Sequence, residues 1–93
     1  MDEPVARRAT VKIVNKKGLH ARASAKMVEA AARFKCQINV TKDGQKVDAR
    51  SIMGLMMLAA SMGSEVEIDA EGPDAEEAMV AIVALVEAKF GED

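Results

Sequence analysis

The sequence predicts an α+β fold: an open-faced sandwich in which a four-stranded sheet carries three helices on one face, in the order βαββαβα. Three observations predict it. Every candidate strand alternates apolar and polar residues, so each buries one side and wets the other, as antiparallel or mixed sheets allow. Helical periodicity interrupts the strands three times, and those helices must share the single apolar face. Ninety-three residues, about half of them hydrophobic, suit one small domain spanning 1–93.

The first strand is carried by "RATVKIV", where Ala9, Val11 and Ile13 alternate with Arg8, Thr10 and Lys12. "NKKG" breaks the pattern, and Gly18 permits a turn that other residues resist. From about Ala21 to Phe34 the period becomes helical. Ala23, Met27, Ala30, Ala31 and Phe34 form one stripe, Lys26, Glu29 and Arg33 the opposite one, and the alanines favour helix. Ser24 is expected on the solvent side. A second strand follows in Cys36, Ile38 and Val40, and Asp43-Gly44 signals a hairpin into a short return strand through Val47 and Ala49. "SIMGLMMLAASMG" reads as a helix that Ser51 caps and Gly63 ends. "SEVEIDAEG" places Val66, Ile68 and Ala70 inward and Glu65, Glu67 and Asp69 outward. The last helix starts at Pro73 or Asp74, with acidic residues in its first turn, and buries Ala75, Met79, Ile82, Val83, Val86 and Phe90.

Composition excludes several functions. The net charge is −2 and Phe34 and Phe90 are the only aromatic residues, which argues against general nucleic-acid binding, since that wants a basic face and bases need aromatic partners to stack on. Cys36 is the only cysteine, which rules out an internal disulfide and suits a reducing compartment. It is expected to pack in the core. The opening "MDEPVARRATV" has no apolar run of signal-peptide length, and no stretch is long enough to span a bilayer. A cytoplasmic domain, monomeric and without membrane insertion, is the expectation. No cofactor is implied. A metal site is not expected either, because His20 is the only histidine and Cys36 lies on another element. The terminal "GED" is expected to fray.

His20 falls where the first loop becomes the first helix, in "KKGLHARASAK". A helix start offers free backbone N–H groups and partial positive charge, a ready site for phosphate. Arg22 adds a fork of donors in the first turn, and Lys16 and Lys17 add charge. Those cations disfavour a positive ring, and an unprotonated imidazole nitrogen is a nucleophile. One histidine is therefore enough for phosphoryl relay, provided partner proteins supply the donor and most of the transition-state stabilisation.

"GLHARASAK" followed by "ARSIMGLMMLAAS" resembles the HPr phosphocarriers of the phosphoenolpyruvate:sugar phosphotransferase system, whose runs are usually written GLHARPA and KSIMGVMSL. The likeness covers nearly the whole chain. It implies that His20 is the phosphoryl acceptor and that Arg22 steadies the phosphoryl group, and Gly18, Ala21 and Ala23 are expected to stabilise the phosphate beside it. It also implies enzyme I as donor and an enzyme IIA component as acceptor. Ala23 stands where the family usually has proline, which would pre-set the first helical turn. Alanine also favours helix, so the site is expected to survive.

Ser51 carries two compatible expectations. Its hydroxyl should cap the second helix, and the resemblance implies a regulatory site for an HPr kinase/phosphorylase found in some bacteria. Ile52, Met53, Leu55, Met56, Met57 and Leu58 leave that helix little polar face. Leu55 and Leu58 are expected inward. Ile52, Met53 and Met56 are expected outward beside His20, forming with Lys17 a docking face that methionine adapts to several partners. Gly54 is expected to allow a neighbour to approach closely. A competing reading is a regulatory interaction module of a nitrogen-related phosphotransferase chain, toward which Ala23 and the Met-rich helix lean. Such a module binds kinases or regulators according to its phosphorylation state.

Overall fold

The computed structural model describes residues 6–92; the opening MDEPV and the final Asp93 of the tail lie outside the described residues. The elements run β1 (Ala6–Lys12), α1 (Ala21–Ala31), β2 (Gln37–Lys42), β3 (Gln45–Asp48), α2 (Ile52–Met57), β4 (Glu65–Glu71) and α3 (Ala75–Glu87), then a 3-10 turn at Lys89–Gly91. The four strands form one antiparallel sheet in the order β1-β4-β2-β3. Its register aligns the apolar sets: Val11 opposes Val66, Val40 opposes Ile68 on one side and Val47 on the other.

The three helices cover that face. Ile38, Val40, Val66, Ile68 and Ala70 of the sheet meet Met27 of α1, Leu55 of α2, and Ile82 and Val86 of α3 in one core. Each large apolar side chain so buried contributes about 1.5–3 kcal/mol. The open-faced sandwich expected from alternation is the fold found.

Several local expectations hold. Asp43 and Gly44 both take positive φ, 51° and 82°, the geometry of a two-residue hairpin turn matched to strand twist. Ser51 caps α2: its Oγ accepts from the Gly54 N–H at 2.9 Å. A Cβ on Gly54 would stand 3.0 Å from that Oγ and 3.1 Å from Val47 Cβ, so glycine permits the close approach. Asp74 precedes α3, with Glu76 and Glu77 in its first turn.

Several expectations need correction, among them that Phe90 belongs to the last helix: α3 ends at Glu87 and Phe90 lies in the 3-10 turn. Helix α1 stops at Ala31, not Phe34, because the chain tightens into i→i+3 bonds (Phe34 N–H to Ala31 O, 3.2 Å) and Arg50 caps the end. Its Nη2 donates to Ala31 O at 2.9 Å and to Phe34 O at 2.8 Å. Helix α2 ends at Met57, well before Gly63, since Ala59 turns into the left-handed region at φ 52°. Gly63 serves the turn into β4, its N–H donating to Ile13 O at 2.7 Å. Ser24 is fully buried rather than solvent-facing. Cys36 is only partly buried; burial pushes its thiol up, and the neighbouring Asp74 carboxylate pushes the same way.

Candidate functional site

The site is built on the loop from Ile13 to His20. Asn15 is fully buried and organises it: the side-chain Nδ2 donates to Gly18 O at 2.8 Å, while the Asn15 carbonyl accepts from Gly18 N–H at 3.2 Å. Gly18 has φ 63° and lies against the segment that follows α2, where a Cβ would come 2.2 Å from Ala60 O. The same Ala60 carbonyl accepts from Leu19 N–H at 2.9 Å. The buried Ser24 hydroxyl donates to Leu19 O at 3.1 Å. Leu19 is thus tied from both sides immediately before His20.

His20 is the N-cap of α1, with extended backbone (φ −73°, ψ −177°) and no side-chain bond into the helix. Its carbonyl accepts the first helical bond, from Ser24 N–H at 2.9 Å. The amides of Ala21, Arg22 and Ala23 therefore precede the first intrahelical donor, and those of the exposed Ala21 and Arg22 are open to an anion. Ala23 is fully buried and does not line the cleft, so it supports the site through packing; Gly18 spends its N–H within the loop and shapes the site without donating to it.

The ring of His20 is 28% exposed, and its Nε2 lies 2.5 Å from Glu92 Oε2. The other oxygen of Glu92 accepts from Asn15 Nδ2 at 3.0 Å. The tail end expected to fray is therefore folded onto the site. Three consecutive residues in the left-handed region, Lys89, Phe90 and Gly91 (φ 58°, 55° and 77°), turn the chain back. Phe90 anchors the turn in the core with no exposed surface, and Lys26 Nζ donates to its carbonyl at 2.7 Å. The hydrogen bonds from Asn15 and then His20 hold the Glu92 carboxyl below the usual carboxylate range.

Around the ring is an open cleft lined by Lys16, Lys17, His20, Ala21, Arg22, Lys26, Gly91 and Glu92. Four cations and one carboxylate give it a net positive field, to which the start of α1, lining the cleft at Ala21 and Arg22, adds. A second depression joins His20 and Lys17 to Met56, Ala59 and Ser61. Lys17, His20, Ala21 and Arg22 are thus brought together, and Met56 beside them. Ser51, Ile52 and Met53 line neither concavity. Leu55 and Leu58 point inward, while Ile52, Met53, Met56 and Met57 are exposed, at 40%, 75%, 44% and 65%. No group of three or more metal-ligating side chains occurs among the described residues, and no helix among them is long and apolar enough to cross a membrane.

A family model described as the PTS HPr component phosphorylation site matches residues 7–88. The chain belongs to the HPr family. The phosphocarrier protein HPr of Cupriavidus necator is 54% identical over 80 residues, which is 86% of this chain and 90% of that one. The HPr structure from Thermoanaerobacter tengcongensis superposes with a TM-score of 0.90 at 52% identity, covering 94% of this chain and 98% of that one. A dimeric HPr structure from the same organism matches with a TM-score of 0.75 at 51% identity, over 99% and 100% of the two chains. The family recognised from the two motifs is therefore the family found, and its phosphotransferase-system context comes with it.

Asn15, Lys26 and Glu92 are the site residues that the sequence pattern did not single out. Asn15 stands inside the quoted turn "NKKG", where asparagine commonly closes turns on the backbone. Glu92 carried no signal, because its approach depends on the unusual backbone of the three residues before it.

Proposed function

We propose that this HPr-family chain relays a phosphoryl group through His20, accepting it from phosphorylated enzyme I and delivering it to an enzyme IIA component. The observation that carries the reading is the placement of the only histidine. It stands at the head of α1, partly exposed, beside the helix-start residues Ala21 and Arg22 and among the cations Lys16, Lys17, Arg22 and Lys26. In this reading Arg22 closes on the transferred group. Arg22 is exposed and has no carboxylate partner among the described residues, so its guanidinium is available. The chain acts as a carrier rather than an enzyme, since it turns over only between partners. We place it in the cytoplasm as a monomer, without cofactor.

Docking falls to Lys17 and the exposed apolar side of α2. Ile52, Met53 and Met56 form a surface of the kind that adapts to several partners. Phosphorylation of Ser51 by an HPr kinase/phosphorylase would retain the helix start, which favours negative charge, while adding about two charges beside that surface. Acidic partners would then be repelled.

Incubation with phosphoenolpyruvate and enzyme I from the same cell tests the relay by mass spectrometry. An acid-labile phosphoryl adduct on the wild type, absent from His20→Ala, is the expected result. An adduct retained by His20→Ala would remove His20 from its role. The exposed methionines favour a second reading, the regulatory interaction module of a nitrogen-related chain. For that reading, partner binding persists in His20→Ala and is lost in Met53→Glu.

A further inference from the structure

Glu92 is not part of the motifs that define the family, yet among the described residues it makes the closest polar contact of the His20 ring, 2.5 Å from Oε2 to Nε2. The direction of that hydrogen bond is determined by its neighbours. Asn15 Nδ2 faces two oxygens, Gly18 O and Glu92 Oε1, so the amide is oriented with its nitrogen toward the carboxylate. Glu92 is thus already accepting from one donor, and an ionised carboxylate has no proton to give. Nε2 must carry the hydrogen. Nδ1 is then the nitrogen left to act as nucleophile, and it makes no capping bond to α1. The anchoring is costly enough to need explanation: Phe90 and Lys89 adopt φ values that non-glycine residues avoid, and Lys26 pins the turn.

We infer that Glu92 is a positioning residue for phosphoryl relay, which holds the Nε2 proton of His20 in place so that Nδ1 is the nucleophile and leaves as a neutral nitrogen. This deepens the relay reading and rests on it. In the accepting step a P–Nδ1 bond forms while the bond from phosphorus to the donor's leaving group breaks, and that group keeps the electron pair. The ring becomes a phosphoimidazolium whose positive charge faces the Glu92 carboxylate through Nε2–H. In the delivering step the P–Nδ1 bond breaks and its electron pair returns to Nδ1. No proton enters or leaves the ring in either step. The carboxylate thus serves the ring as a buried aspartate serves a catalytic histidine, by fixing tautomer and balancing charge.

Long-range ¹H–¹⁵N NMR of the full-length, ¹⁵N-labelled protein reads the His20 tautomer directly, and no enzyme I is needed. The wild type should show the proton on Nε2 and a bare Nδ1. In Glu92→Gln the ratio of Nε2–H to Nδ1–H should fall about tenfold, as expected for loss of a hydrogen bond to a charged group. Glu92→Asp should restore part of it. Saturating transfer from enzyme I should slow by a similar factor in Glu92→Gln with its apparent KM unchanged. An equal tautomer ratio in wild type and Glu92→Gln overturns the inference, as does a shifted ratio with unchanged transfer. A wild type that shows the expected tautomer but accepts no phosphoryl group would overturn the relay reading instead.

Discussion

Replacing Gly18 by alanine isolates the contact that holds the His20 loop. Two separate penalties arise. Gly18 has φ 63°, and alanine pays about 1 kcal/mol or more there. The new Cβ would also stand 2.2 Å from Ala60 O and 2.8 Å from Ser61 Cα, both backbone atoms, so the loops must separate. Separation breaks the Leu19 N–H to Ala60 O bond and strands a buried donor, at a further cost of about 1–3 kcal/mol. The sum is about 3 kcal/mol, a large share of the stability of a small domain. With a urea m-value of about 1 kcal/mol/M, the unfolding midpoint should fall by about 3 M. Gly44→Ala is the control: its φ of 82° carries the conformational penalty, but nothing lies within 4 Å of the added methyl. It should lose about 1 kcal/mol. Equilibrium urea unfolding of both variants measures the difference. If Gly18→Ala matches Gly44→Ala to within about 0.5 kcal/mol, the packing of the loop on Ala60 does not hold the site as described.

Ser51→Ala should lose about 1 kcal/mol with the N-cap bond to Gly54, seen as a lower thermal midpoint and faster amide exchange in α2. Phe90→Ala should lose about 3–5 kcal/mol by opening a cavity in the core. It should also release Glu92 from His20, so the ring's NMR shifts should move although residue 90 is not within the cleft. Arg50→Ala should cost about 1.5–3 kcal/mol by uncapping α1, with exchange rising first at Ala31 to Phe34. Glu92 is held below its ordinary value of 4.5, so the stability it contributes is present above that value and is lost as pH falls through the lower folded one. Wild type and Glu92→Gln should differ in thermal midpoint at neutral pH and converge in acid; a difference that persists in acid would assign the effect to something other than the carboxylate.

The sheet was legible because alternation sets which face each strand buries, and Val66, Ile68 and Ala70 obey it without exception. The hairpin was legible because Asp-Gly is among the few pairs that tolerate two positive φ values in succession. The placement of His20 and Arg22 at a helix start among cations was legible, and the two motifs added the family. Ser24 was misplaced although the information was present: it lies three residues before Met27 and seven before Ala31, on the buried stripe, and its hydroxyl is satisfied by Leu19 O. The short α2 was not legible, since Ala59 takes a left-handed conformation that its residue type does not announce. Glu92 was hidden for the same reason, compounded by the 72 residues that separate it from His20. Local periodicity reports neither distant approach nor strained backbone. Both arise from tertiary packing, here of Phe90 in the core and Lys26 on its carbonyl.

The central claim is that His20 carries the phosphoryl group. Phosphorus NMR of the wild-type chain with phosphoenolpyruvate and an active enzyme I tests it most directly. An acid-labile phosphohistidine resonance that is absent from His20→Ala is the predicted result. A spectrum without that resonance, or one with only an acid-stable phosphoserine signal, would contradict it.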